Sequence, residues 1–215
     1  VETMDRKSKI ALIILAAGKS TRFPGNKLLA KINGEFMIEK IVKTALSSKV
    51  YRILIVTGYE AEKIKQLIEE MKDERIQIVY NPKYEEGQSS SVKTGVKKVI
   101  EEADAVMIHP ADVPFITPED IDRLIEVFEI TNAAIIVASY RGRHGHPILF
   151  SSKLFSEIME ITEEKHGLKE LVEKYREEIV EVESSQYTTI DIDTPEELKK
   201  NWGTHKGNRT LYDMT

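Results

Sequence analysis

The chain has 215 residues, 31 Lys+Arg against 36 Asp+Glu, 41% hydrophobic residues and no cysteine. That length suits a single α/β domain and that apolar share builds a substantial core, which excludes disorder as the main state. A formal charge of −5 disfavours nucleic acid as a partner, and the absence of cysteine removes disulfides, thiolate metal sites and cysteine nucleophiles, which fits a cytoplasmic setting.

The first predicted strand, Ile10 to Leu15, is apolar throughout, as in a parallel sheet covered on both faces. Its run to Ala17 is far short of the roughly 18 to 20 residues that cross a bilayer, so no membrane association is expected. A loop follows: Leu15-Ala16-Ala17-Gly18-Lys19-Ser20-Thr21-Arg22-Phe23-Pro24-Gly25-Asn26-Lys27-Leu28-Leu29. Small residues at Ala16, Ala17 and Gly18 let a ligand approach the backbone, Ser20 and Thr21 offer hydroxyls, and Arg22 and Lys27 bring two positive charges suited to a polyphosphate. The alternative is a flexible surface turn with two solvated bases. Gly18 and Gly25 do not fit G-x-G-x-x-G, and Gly25-Asn26-Lys27 breaks G-x-x-x-x-G-K-[ST], so a Rossmann dehydrogenase and a P-loop NTPase are both disfavoured.

Ile38, Ile41, Val42, Ala45 and Leu46 mark one buried helical stripe, and Ile53 to Thr57 and Ile76 to Tyr80 read as strands. Gly87 to Gly95 reads as a polar loop leading into a helix, whose free N–H groups favour anions or polar base edges. Ser89, Ser90 and Ser91 are candidate contacts there, or simple helix caps. Ala105 to His109 is the next strand, and Asp112 just beyond it projects at the sheet's carboxyl edge as a candidate Mg²⁺ ligand or an Asx-turn. Thr117-Pro118-Glu119-Asp120 starts a helix carrying Ile121, Leu124, Ile125 and Phe128. Strands Ala134 to Ala138 and Pro147 to Phe150 are joined by a turn or short loop over Tyr140 to His146, where Arg141, Arg143, His144 and His146 form a basic cluster able to meet a second anion. Lys165 to Glu178 reads as an exposed amphipathic helix without chemistry. Thr194-Pro195-Glu196-Glu197 starts the last helix, and either Asp193 or Asp191 before it can supply a second carboxylate, since strand alternation puts both on one face. The absence of a Gly-x-Ser-x-Gly elbow argues against serine hydrolysis.

These motifs resemble the MobA-like nucleotidyltransferases, and most closely their molybdenum cofactor cytidylyltransferase branch. The resemblance rests on the Leu15 to Lys27 loop, Asn81-Pro82, Gly87 to Gly95, Ala111-Asp112-Val113-Pro114, Gly145 to Phe150 and Asp191-Ile192-Asp193-Thr194-Pro195, in the family's order over about residues 10 to 200. It implies an α/β fold: a single three-layer α/β/α domain over residues 9–202 with a mainly parallel, Rossmann-like nucleotidyltransferase sheet. The ends, 1–8 and 203–215, are polar and are expected to be flexible. It also implies transfer of a nucleoside monophosphate from an NTP to a molybdopterin-type acceptor, with release of pyrophosphate. Arg22 and Lys27 would be catalytic; Leu15, Ala16, Ala17, Gly18, Lys27, Asn81, Gly87, Ser89, Ser90, Ser91, Gly95 and Asp112 would bind the nucleotide. Gly145, His146 and Pro147 would meet the acceptor, and Asp112 and Asp193 would hold Mg²⁺. A recipient molybdoenzyme or its chaperone is the implied partner. Guanylyltransferase relatives usually carry Leu-Ala-Gly-Gly and an Asp before the lysine; Leu15-Ala16-Ala17-Gly18 and Asn26-Lys27 here favour CTP. The alternatives are a guanylyltransferase, a nucleotidyltransferase for another small phosphorylated acceptor such as a sugar phosphate, and a non-catalytic molybdenum cofactor chaperone.

Overall fold

The computed structural model describes residues 7–32 and 34–207. In chain order the elements are β1 (Ile10–Ala16), β2 (Lys31–Ile32), β3 (Glu35–Phe36), α1 (Met37–Leu46), β4 (Arg52–Thr57), α2 (Ala61–Glu69), β5 (Ile76–Tyr80), α3 (Gln88–Val99), β6 (Ala105–Pro110), α4 (Pro118–Thr131), β7 (Ile135–Tyr140), β8 (Arg143–Ser151), α5 (Phe155–Glu160), α6 (Leu168–Lys174), β9 (Ile179–Glu183) and α7 (Pro195–Gly207). Seven strands form one sheet in the order β5-β4-β1-β6-β8-β7-β9, in which β8 alone runs antiparallel to its neighbours.

The two sheet faces carry two apolar cores. Leu12 and Ile14 of β1 pack with Ile38 and Ile41 of α1, Ile64 of α2 and Leu124 of α4. Ala11 and Ile13 face the other way, towards Val92 and Val96 of α3, Ile158 of α5 and Leu171 of α6. Helices therefore cover both faces, which explains why β1 is apolar at every position. Gly95, inside α3, makes that packing close: a Cβ there would lie 2.6 Å from Ile13 Cγ2.

From β1 the chain winds outward through β4 to β5, then returns to place β6 on the other side of β1. Such a reversal opens a crevice beyond the carboxyl ends of the strands, where ligands of open α/β sheets bind. Loops are pinned around it by Ala111 N–H to the Leu15 carbonyl (3.0 Å), Tyr59 N–H to the Ala17 carbonyl (3.1 Å) and Asn81 N–H to the Thr57 carbonyl (2.8 Å).

Both Thr-Pro helix starts form as expected. Asp120 N–H donates to Thr117 Oγ1 (3.2 Å) while Thr117 N–H donates to Asp120 Oδ2 (2.9 Å). Glu197 and Thr194 exchange the same pair of bonds at the head of α7.

Elsewhere the structure departs from expectation. The turn expected over Tyr140 to His146 shrinks to Arg141-Gly142, because both residues adopt positive φ (51° and 76°), and β8 begins at Arg143. The helix expected over Lys165 to Glu178 is confined to α6, since His166 (φ 61°) and Gly167 (φ 56°) interrupt helical geometry before Leu168. At the carboxyl end, α7 runs to Gly207, past the expected domain limit at Trp202; polarity alone does not stop a helix, and no proline follows. Residues 1–6 and 208–215 of the expected flexible ends lie outside the described residues.

Loss of this half-buried cap is testable: Thr117→Ala should cost about 1 kcal/mol of unfolding free energy, read as a lower urea midpoint at unchanged slope, whereas an unchanged midpoint would show that Thr117 caps nothing that matters.

Candidate active site

Lys27 lies in a single 3-10 turn, Lys27–Leu29, capped by the Asn26 side chain, which accepts a hydrogen bond from Leu28 N–H at 3.1 Å. The turn aims the Lys27 ammonium between two carboxylates. Nζ is 2.9 Å from Asp112 Oδ2 and 3.0 Å from Asp193 Oδ1, and Arg22 reaches the other Asp193 oxygen at 2.7 Å. Asp112 and Asp193 come together because Ile192 N–H donates to the Asp112 carbonyl (2.8 Å) while the Ile192 side chain is fully buried. The two late aspartates do not share a face as strand alternation suggested, because residues 190–193 form no strand: Asp193 faces the loop, while Asp191 is exposed and lies on the side of His146.

Burial works against the charge on Lys27, but the two carboxylates outweigh it and hold its pKa above the ordinary value of 10.5. Lys27 is therefore charged throughout the neutral range.

The cluster floors a cleft of about 370 Å³ lined by Leu15, Ala16, Ala17, Gly18, Ser20, Thr21, Arg22, Lys27, Leu28, Tyr84, Gly87, Gln88, Ser91, Pro110, Asp112 and Asp193. A larger hollow of about 950 Å³ between α2 and β5 includes none of these four charged residues, so size does not choose the site. Gly18 has open space around its Cα, leaving the backbone accessible. Ser20 sits at φ 54°, and its carbonyl accepts from Phe23 N–H (2.9 Å), which folds the loop back over the cleft.

The expected nucleotide segment is divided by its helix. The serines lie on the first turn of α3 rather than in a loop, and successive helical residues point about 100° apart. Ser91 lines the charged cleft, Ser90 faces an outer groove with Lys93 and Lys97, and Ser89 is buried against a second chamber. Asn81 is buried and organises them, donating to Ser90 Oγ (2.8 Å) and Ser91 Oγ (3.0 Å). Gly95 is in the α3–sheet core, where its role is steric and it touches neither cavity.

The second chamber, about 480 Å³, shares Leu15, Gln88 and Pro110 with the cleft and is walled by Gly145, His146, Ile148, Glu163, Leu168 and Val172, among others. Of the expected acceptor residues, Gly145 and His146 line it and Pro147 is buried behind them. Gly145 is glycine for packing, since a Cβ would run into the Thr188 carbonyl. His144 pairs with Glu181 at 2.8 Å, and neither Arg141 nor Arg143 lines the cleft, because the tight turn carries them outward. Tyr84 and Glu163 were not expected in a site. Glu163, whose carboxylate accepts from Ser89 N–H at the head of α3, reaches the chamber only through the 74-residue separation that folding closes.

No group of three or more His, Asp or Glu gathers around a common point among the described residues. The donor set nevertheless fits Mg²⁺: two hard carboxylates converge at a phosphate-sized cleft, and this ion takes one or two carboxylates together with water and substrate phosphates. No helix of the described residues is long and apolar enough to cross a membrane.

Residues 12–179 match the family model of the MobA-like NTP transferase domain. The chain belongs to that family. Molybdenum cofactor cytidylyltransferase of Escherichia coli is 28% identical over 194 residues, covering 89% of this chain and 94% of the relative. The purine catabolism protein PucB of Bacillus subtilis is 30% identical over 193 residues, covering 86% and 92%. A nucleotidyl transferase from Methanothermobacter superposes with a TM-score of 0.78 at 20% identity, covering 93% and 98%, and so shares the fold. This MobA-like chain is thus a nucleotidyltransferase whose family substrate is a nucleoside triphosphate.

The raised Lys27 pKa fixes the sign of a pH experiment. Stability from the ion pairs is fully present below the unfolded-state value and lost as pH rises through the folded one, so the unfolding free-energy gap between parent and Lys27→Met should stay flat from about pH 7 to 9 and close above 10.5. A gap that closes already between pH 7 and 9 would contradict the assignment.

Proposed function

We propose that this MobA-like transferase moves CMP from CTP to the terminal phosphate of a molybdopterin-type acceptor. One observation carries the reading: Arg22 and Lys27 of one loop meet Asp112 and Asp193, from two distant parts of the chain, at a single cleft at the β1–β6 crevice. A phosphate oxygen of the acceptor forms a bond to the α-phosphorus as the bond from that phosphorus to the bridging oxygen breaks. Pyrophosphate leaves with the electron pair. No side chain needs to become a nucleophile, so the protein's work is positioning and neutralisation of charge.

The Leu15 to Lys27 loop receives the triphosphate, with Arg22 and Lys27 turning from the carboxylates to the phosphate oxygens. Asp112 and Asp193 would hold Mg²⁺, which when bound neutralises phosphate charge. Ser91 and Gly87 line the nucleoside end of the cleft, and the adjoining chamber at Gly145 and His146 receives the body of the acceptor. The 28% identity to a molybdenum cofactor cytidylyltransferase over nearly all of both chains supports the acceptor class, and the meeting of two cations and two carboxylates in one cleft favours catalysis over simple cofactor carriage.

Purified protein assayed for pyrophosphate release against each NTP, with molybdopterin or a sugar phosphate as acceptor, should turn over with CTP and molybdopterin. Release with only GTP, or only with a sugar phosphate, would replace this reading. Arg22→Ala and Lys27→Ala should each lower turnover by about 10²- to 10³-fold, and near-parent turnover of Lys27→Ala would remove it from the mechanism. Ala17 is buried where it lines the cleft. Its methyl takes up space in the cleft that a purine nucleotide would use, so Ala17→Gly should raise the use of GTP relative to CTP about tenfold, and an unchanged ratio would place base selection elsewhere.

A further inference from the structure

His109 is a fully buried residue of β6, in a run otherwise made of Ala105, Val106, Met107 and Ile108. Its Nε2 lies 2.9 Å from the Val113 carbonyl, while Nδ1 is buried without a hydrogen-bond partner. A carbonyl only accepts, so the proton sits on Nε2 and Nδ1 carries a bare lone pair. Burial, with the neighbouring His146 adding to it, pushes the ring's pKa down to about 3 and keeps it neutral. An apolar side chain would fill this space without an orphaned nitrogen, so packing alone does not account for the histidine.

What the ring holds is the turn that carries Asp112. Val113 N–H closes this turn on the Pro110 carbonyl at 3.2 Å, Ala111 N–H ties it to β1, and Ile192 N–H ties the Asp112 carbonyl to the segment of Asp193. The His109 bond links the sheet interior to the turn's far end, beside the packing of the buried Val113 side chain. On its other side the ring meets His146 edge-on, with centroids 6.3 Å apart and planes at 87°. The same imidazole therefore spans from the carboxylate turn to the strand that lines the acceptor chamber.

We propose that His109 is a positioning residue: through its bond to the Val113 carbonyl and its contact with His146, it fixes the Asp112 carboxylate for the ligand-bound state and holds the two halves of the site in register. The proposal rests on the reading of Asp112 as a ligand-binding carboxylate. It goes beyond that reading in assigning work to a buried group that touches no substrate.

Three measurements on the full chain test it, comparing His109→Phe, which keeps a ring but no donor, with His109→Gln, whose amide nitrogen can donate where Nε2 does. Thermal unfolding establishes that each variant folds, with His109→Leu used if the Phe variant does not. Amide hydrogen exchange should speed up at Val113 and Ile192 in the Phe variant and stay near parent in the Gln variant. Mn²⁺ binding in the presence of a non-hydrolysable CTP analogue, followed by electron paramagnetic resonance, should weaken about 10- to 100-fold in the Phe variant, the scale for a lost outer partner of a metal ligand. The Gln variant should recover most of that affinity, and kcat should follow the same order with KM for CTP little changed. Equal metal binding and exchange in the Phe variant and parent would overturn the proposal, as would equal losses in folded Phe and Gln variants. A parent without pyrophosphate release would count against the proposed function, while exchange at Val113 and Ile192 would still decide the role of His109.

Discussion

The site depends on one ammonium group held between two carboxylates. Lys27 joins Asp112, 85 positions away, to Asp193, 166 positions away, and no other described contact draws the first loop, the β6 turn and the head of α7 to a single point. The surrounding architecture serves that meeting. The strand reversal at β1 leaves a crevice, the 3-10 turn after Asn26 presents the lysine into it, and the Ile192 bond to the Asp112 backbone sets the spacing of the carboxylates. A group of two cations and two anions is close to neutral, so a chain of net charge −5 can still offer local cationic groups to a polyphosphate.

The same balance describes what ligand binding must exchange. Each carboxylate is satisfied by Lys27 or Arg22, which avoids the cost of leaving half-buried charge unpaired. A triphosphate brings anionic oxygens that compete for the two cations, and a divalent ion offers the carboxylates a replacement partner. On the proposed function, metal and nucleotide would therefore favour each other's binding.

Much of the fold was legible because its strands are covered on both faces and its helices carry buried stripes and Thr-Pro caps. β9 was not, because Ile179, Val180, Glu181, Val182 and Glu183 form a partly exposed edge with only Val182 buried. β2 and β3 are two residues each, too short to leave a pattern. At the site, Arg22, Lys27 and the two carboxylates were suggested by residue type, but their convergence was indicated only by family resemblance, since no local rule links positions so far apart. Family resemblance made Gly95 a nucleotide contact, but it is glycine because Ile13 presses on it, and Gly145, which does line the chamber, has the Thr188 backbone against it, which no sequence pattern displays. His109 gave no signal beyond being polar in an apolar strand, and its partner is a backbone carbonyl, which sequence does not display.

The central claim is that the triphosphate and its cation occupy the cleft where Lys27 now bridges the carboxylates. A crystal structure of the protein with a non-hydrolysable CTP analogue and Mg²⁺ tests this most directly. The account predicts phosphates against the Leu15 to Lys27 loop, the ion on Asp112 and Asp193, and Lys27 moved onto phosphate oxygen. Nucleotide bound elsewhere, or bound in the cleft with the Lys27 ion pairs intact and no metal on the carboxylates, would contradict it.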